Sequence, residues 1–184
     1  MYSRRNFPNQ KPNEHVILFL RRHWIAPLKI FFIGFILALI PVLLYFVFSS
    51  ISALWERESF MAMFILALSG YYLFVLLYTF ADFVDYYLDV WIVTNERIIN
   101  IEQKGLFARV ISEKELVIMQ DITSEIEGFW HTVFNYGDIF IQTAGEKERF
   151  VFKQVPRADE VARKISNLVS ESRRLRQGAL EDWN

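Results

Sequence analysis

The sequence predicts a two-helix transmembrane hairpin followed by a soluble α+β domain, a strongly bent antiparallel sheet capped by a C-terminal helix. Three features predict it: two long uncharged apolar runs, a switch from helical to alternating periodicity after Asp82, and one amphipathic stripe after Pro156. The runs are Ile30 to Phe48 (IFFIGFILALIPVLLYFVF) and Phe60 to Ala81 (FMAMFILALSGYYLFVLLYTFA). At about 1.5 Å per residue, each crosses a hydrocarbon core of about 30 Å. The chain divides accordingly into a cytoplasmic tail and juxtamembrane segment (1–29), two transmembrane helices (30–82, about 30–49 and 60–82), a cytoplasmic domain (83–172) and a C-terminal tail (173–184).

Charge sets the orientation. Residues 1–29 hold six Lys or Arg against one Glu, whereas the loop from Ser49 to Ser59 holds only Arg57 beside two glutamates. Basic short loops stay in the cytoplasm, so both termini and the C-terminal domain face it. A cleaved signal peptide is the competing reading of the first run. Its basic region is too long and its apolar run exceeds the usual ~7–15 residues. A soluble helical hairpin is disfavoured by two adjacent uncharged runs of this length.

Each element then follows in order. Met1 to Asn13 is polar, with Pro8 and Pro12, and reads as a loose tail. Glu14 to Lys29 (EHVILFLRRHWIAPLK) reads as a juxtamembrane anchor, with Arg and Lys snorkelling to headgroups and Trp24 at the interface. Pro41 removes a backbone donor inside the first span. Gly34 and Ala38 form a small-xxx-small spacing that lets helices approach. Tyr86 to Val93 and Arg97 to Glu102 alternate as strands around a Thr94-Asn95-Glu96 turn, in which Asn95 tolerates a left-handed conformation. Gly105 breaks the next connection, and Ala108 to Glu115 and Leu116 to Ile126 read as further strands. Asp138 to Thr143 alternates after Gly137, and Arg149 to Lys153 follows a turn at Ala144-Gly145-Glu146. Pro156 opens a helix in which Val161, Ile165, Leu168 and Val169 form a core-facing stripe.

Composition excludes several chemistries. With no cysteine there is no disulfide, thiolate metal site or thiol nucleophile. The three histidines stand in no Ser-His-Asp or nucleophile-elbow pattern, and the seven glycines form no phosphate-binding loop. No catalytic residue, cofactor, metal or small-molecule substrate is expected. Asp82, Asp85 and Asp89 share a face if helix continues, a spacing compatible with a hard cation. Ion pairing with Arg21, Arg22 or Lys29 is the preferred reading. Neither apolar run, Ile30 to Phe48 or Phe60 to Ala81, contains Asp, Glu, Lys, Arg or His, which argues against a proton-coupled transporter built from this chain alone.

Several short motifs, in order, resemble the bacterial pleckstrin-homology-like (bacterial PH) domain family in its membrane-anchored form. They are Glu14 with Arg21-Arg22-His23-Trp24, then Trp91 to Ile99 (WIVTNERII), Gly105-Leu106-Phe107 with Arg109, and Met119-Gln120-Asp121-Ile122. Tyr136-Gly137-Asp138-Ile139 and Thr143-Ala144-Gly145 complete the series. The resemblance implies a PH-like fold, a seven-stranded bent sheet closed by a C-terminal helix. It implies structural roles for Trp91, Thr94, Asn95, Arg97, Gly105, Gly137, Thr143 and Gly145. It implies no activity, because one fold hosts many functions. Where the family often has a Gly-rich turn, this chain has Phe129-Trp130-His131-Thr132; local packing is the preferred reading, and the alternative makes Phe129, Trp130 and His131 candidates for an interaction loop.

Phosphoinositide recognition is not expected, since Asp85 to Pro156 holds seven basic against twelve acidic residues. Arg157 to Arg176 is basic, with Arg173, Arg174 and Arg176 suited to a helix C-terminus, but no interleaved aromatics suggest nucleic acid. The leading expectation is a non-enzymatic membrane protein whose domain binds a protein partner or assembles with itself. The alternatives are an anionic-lipid sensor using Arg21, Arg22, His23, Trp24 and Lys29, and an accessory subunit of a transporter or envelope enzyme.

Overall fold

The computed structural model describes residues 10–11, 13–48, 58–143 and 150–181. The chain forms two compact units, one of residues 1–23 with 88–184 and one of residues 24–87.

Among its described residues the first unit holds seven strands in two antiparallel sheets. One sheet has the order β1-β2-β3-β4 and the other β5-β6-β7. β1 (Val16–Arg21) lies in the segment that the sequence suggests as a juxtamembrane anchor. It pairs with β2 (Val90–Thr94), matching Arg21 to Val90 and Leu20 to Trp91. The sheet is therefore assembled from chain on both sides of the two apolar helices. β2 is buried on both faces, so its alternation feeds two clusters. Trp91 and Val93 join the main core with Ile98, while Val90 and Ile92 pack with Ile99 and Ile101, against Val16 and Phe19.

β3 (Arg97–Lys104) and β4 (Ala108–Glu115) form a hairpin closed by Gly105 at φ +68°, a conformation that glycine adopts without strain. Leu116 to Ile118 is then one 3₁₀ turn rather than the start of a strand. Leu116, fully buried, donates its amide to the Glu96 carbonyl as the chain passes to the second sheet. β5 (Met119–Glu125), β6 (Tyr136–Thr143) and β7 (Phe150–Pro156) complete that sheet.

Pro156 does not open the helix. It closes β7 opposite Tyr136, where a residue without an amide proton is tolerated at a sheet edge. The helix starts at Ala158, after Arg157 takes φ +51°. The helix 129–133 (Phe129–Val133, α3 in chain order) occupies what reads as a loop. The C-terminal helix α4 (Ala158–Glu181) extends into the expected tail. Val161, Ala162, Ile165 and Val169 bury its apolar stripe, with Leu168 packed at the margin.

The second unit contains α1 (Ala26–Phe48), unbroken through Pro41, and most of α2 (Glu58–Leu88). Both are long and apolar enough to cross a membrane. Inside the unit, Gly34 of α1 lies against Thr79 of α2, and Tyr71 donates its hydroxyl to the Leu37 carbonyl (2.7 Å). α2 outruns its expected end. Tyr86 to Leu88 are helical because no Gly or Pro interrupts the run before Asp89.

Candidate functional site

The β2–β3 turn organises one end of the sheet unit. Thr94 accepts the amides of Glu96 (3.2 Å) and Arg97 (3.0 Å), and its hydroxyl donates to Glu14 Oε1 (2.8 Å). Arg97 meets the same carboxylate with two donors, Nε to Oε1 (2.9 Å) and Nη2 to Oε2 (3.0 Å). Its remaining arm reaches Glu113 on β4. Burial pushes the Glu14 carboxyl up, but the Arg97 hydrogen bond, the Lys11 amide, the Thr94 hydroxyl and the Arg97 charge together hold it below its ordinary 4.5. On Arg97, the Glu14 hydrogen bond outweighs burial and raises its pKa.

Asn95 does not take the left-handed conformation that the turn suggests. Its Oδ1 instead accepts the His15 amide (2.9 Å), fastening the chain just before β1. Trp91 packs on Phe152 in the core, with ring centroids 5.2 Å apart, and Thr143 is buried on β6. A Cβ at Gly137 would lie 2.4 Å from the Glu125 carbonyl, so glycine here permits close approach of β5 and β6. Gly145 lies outside the described residues.

The opposite end of the first sheet is where the chain leaves for α1 and returns from α2. Arg22 pairs with the buried Asp89 at 2.5 Å, and Asp89 Oδ1 accepts the Gln103 amide (2.8 Å). Asp82 and Asp85 lie within α2 while Asp89 follows it, so the three do not continue on one helix. Among the described residues, no group of three or more His, Cys, Asp or Glu side chains is placed to hold a metal ion. Arg21 lies over the Phe19 ring at 5.4 Å. His23 is buried, donates its amide to the Gln154 carbonyl (2.7 Å) and stacks on Tyr136 at 4.9 Å. Burial lowers its pKa from 6.5. His131 contacts the same Tyr136 ring at 4.3 Å.

The structure thus brings Arg22 and His23 into the sheet unit's own contacts. Trp24 and Lys29 are exposed, in the other unit. Phe129 and Trp130 are exposed on α3, and His131 turns inward to Tyr136. The Arg22–Asp89 pair is one of the ion pairs that the sequence suggests; the Gln103 link to Asp89 and the His23–Tyr136–His131 stack are what sequence reasoning missed. The apolar VILFLR run after Glu14 is the signal for β1 that was available.

The sequence matches the family model described as Bacterial PH domain over residues 25–169. That span begins after β1. No curated protein matches the chain. Among solved structures, the chain is similar to a DUF1696 family protein with a pleckstrin-homology domain from Shewanella loihica PV-4. That protein is 18% identical, with 46% of this chain and 70% of that one covered and a TM-score of 0.36. A pleckstrin homology domain from Shewanella amazonensis SB2B is 16% identical, with 44% and 74% covered and a TM-score of 0.33.

Proposed function

This chain belongs to the bacterial PH domain family, and on that premise we propose that it is a non-enzymatic protein of the bacterial cytoplasmic membrane whose sheet unit is a protein-interaction or self-assembly module. In this reading α1 and α2 cross the bilayer, and both termini face the cytoplasm. The length of the two helices, their apolar outward side chains and the basic residues before α1 support it.

The observation that carries the interaction reading is the outer edge of β4. β4 ends the first sheet, and β3 is its one strand partner among the described residues. Val110 and Ile111, adjacent and so on opposite faces, are both exposed. An eight-residue strand at the end of a sheet is a template for a strand from a partner or a second copy.

Native mass spectrometry of the full-length protein, extracted in its own membrane lipids, tests this. Defined multimers or a bound polypeptide, lost in Ile111→Lys, are expected. A monomer with nothing copurifying removes the proposal. Headgroup recognition by Arg21, Arg22, His23, Trp24 and Lys29 is the weaker reading, because Arg22 is committed to Asp89 and His23 is buried against Tyr136.

A further inference from the structure

Large apolar side chains more than half exposed are few in the sheet unit. Among its described residues they are Phe107 (98%), Phe129 (72%), Trp130 (62%), Val133 (56%) and Leu175 (70%). Phe129 and Trp130 are in ring contact at 5.3 Å, so on α3 this exposure is one contiguous apolar patch, the kind of surface that marks an interaction site. Four of the five belong to two elements, the β3–β4 hairpin tip and α3.

Both elements are tied to the places where the chain enters and leaves the apolar helices. The strand register puts Arg21, Val90 and Ile101 at one level, with the hairpin tip beyond Lys104 and Ala108. At its base, Gln103 binds Asp89, the residue after α2, and Asp89 holds Arg22. α3 is tied through His131 to Tyr136, on which His23 stacks, three residues before α1. Two consecutive residues, Arg22 and His23, therefore fasten both elements to the exit points. Leu175 is the exception. It lies seventeen residues along α4 from Ala158, about 25 Å of helix.

We infer that Phe107 and the Phe129–Trp130–Val133 surface of α3 dock on the bilayer, as interfacial anchors holding this end of the domain against the headgroups. The inference rests on the membrane-spanning reading of α1 and α2. Under that reading, chain length confines the exit end. Seven helical residues from Ala81, where the uncharged run ends, to Leu88 span about 10 Å, which puts this end of the domain at the outer face of the headgroup layer. Aromatic rings that reach inward from there are favoured in the interfacial layer, where the body is apolar and the edge is wet. The hairpin tip adds the chemistry of such a contact, with Phe107 flanked by exposed Lys104 and Arg109. Basic groups there meet lipid phosphate while the ring reaches the acyl boundary.

The chain has no cysteine, so single labels are unambiguous. Nitroxide labels at Ala108→Cys and Thr132→Cys, exposed neighbours that leave the anchors intact, report each element in full-length protein. The protein is reconstituted in phosphatidylethanolamine and phosphatidylglycerol vesicles. Leu175→Cys serves as the aqueous control and Phe35→Cys, within α1, as the lipid control. The preference for oxygen over a water-soluble nickel chelate is expected to be several-fold higher at 108 and 132 than at 175. It is expected to fall in the Phe107→Ser and Trp130→Ser backgrounds. Labels at 108 and 132 as aqueous as that at 175, with Phe35→Cys in lipid, overturn the docking and leave the spanning helices standing. Labels immobilised and shielded from both reagents also overturn it, assigning the surface to protein. An aqueous Phe35→Cys overturns the spanning reading itself.

Discussion

The guanidinium of Arg97, first residue of β3, grips both oxygens of the Glu14 carboxylate across 83 residues of chain, two residues before β1 begins. Both side chains are buried. The pair joins sequence that precedes α1 to sequence that follows α2. It thereby fixes β1 on a sheet whose other strands are all later in the chain. Removing one member of a buried pair leaves the other charge uncompensated, at a cost of about 3–5 kcal/mol. Arg97→Ala should destabilise the sheet unit by that order, and Glu14→Ala by less, because Arg97 keeps its contact with Glu113. Arg97→Lys should rescue little, because a point charge cannot reproduce the two-armed contact. The double substitution should cost clearly less than the two single costs added. Hydrogen exchange of the β2–β3 amides in the full-length protein, read as a double-mutant cycle, measures this.

Acid should loosen the unit in two stages. His23 is held below its ordinary 6.5 by burial, so the unfolded chain binds a proton more readily than the folded one. Its contribution is complete above pH 6.5 and is lost as pH falls below that value. Glu14, held below 4.5, contributes fully above 4.5 and loses its contribution as pH falls through its depressed value. Proteolytic susceptibility should therefore rise first below pH 6.5 and again below pH 4.5. His23→Phe should erase the first stage and Glu14→Gln the second. A single transition untouched by His23→Phe would contradict the assignment.

Much of this fold is written in local pattern. The apolar runs give α1 and α2, alternation gives β2, β3, β4 and β6, and the Val161–Ile165–Val169 spacing gives the buried face of α4. What local pattern hides is long-range pairing. β1 reads as a membrane anchor because its apolar residues adjoin a basic cluster, and nothing nearby shows that its partner lies beyond two helices. Leu116 reads as strand because its neighbours alternate, yet a change of sheet demands a tight turn there. Arg173 looks like a helix end, but α4 continues and Arg173 donates to the Val117 carbonyl at 3.4 Å and to that of Met119. At the candidate site, Arg22 and His23 are legible as a cluster. Asp89 is legible as an acidic partner for that cluster, whereas Tyr136 is brought to His23 only by the fold.

Gly137 should tolerate no side chain. Its absent Cβ faces the Glu125 carbonyl at 2.4 Å and Ile126 Cγ1 at 2.9 Å, and the carbonyl is backbone that cannot rotate away. Gly137→Ala should part β5 from β6 at this end, with an overpacking cost of about 1–3 kcal/mol. The effect is local, so faster amide exchange in β5, with β2 and β3 unchanged, is the expected signature.

Gly34 should set the spacing of α1 and α2. A Cβ there would lie 2.7 Å from Thr79 Oγ1, which is itself bonded to the Val75 carbonyl at 2.8 Å. The neighbour is a side chain, so Gly34→Ala can be absorbed by rotating Thr79. Gly34→Leu cannot, because its added volume meets the α2 surface that also carries the buried Val75. Gly70, on α2, has nothing within 4 Å of its missing Cβ, and Gly70→Leu is the matched control. Spin labels at Phe31→Cys and Phe83→Cys, whose native rings lie 5.9 Å apart, report the separation in reconstituted full-length protein. Gly34→Leu should lengthen and broaden that distance and destabilise the helix pair by about 1–3 kcal/mol. Gly70→Leu should leave both unchanged. Equal shifts from the two substitutions would mean that general crowding, rather than the Gly34–Thr79 approach, governs how these helices meet.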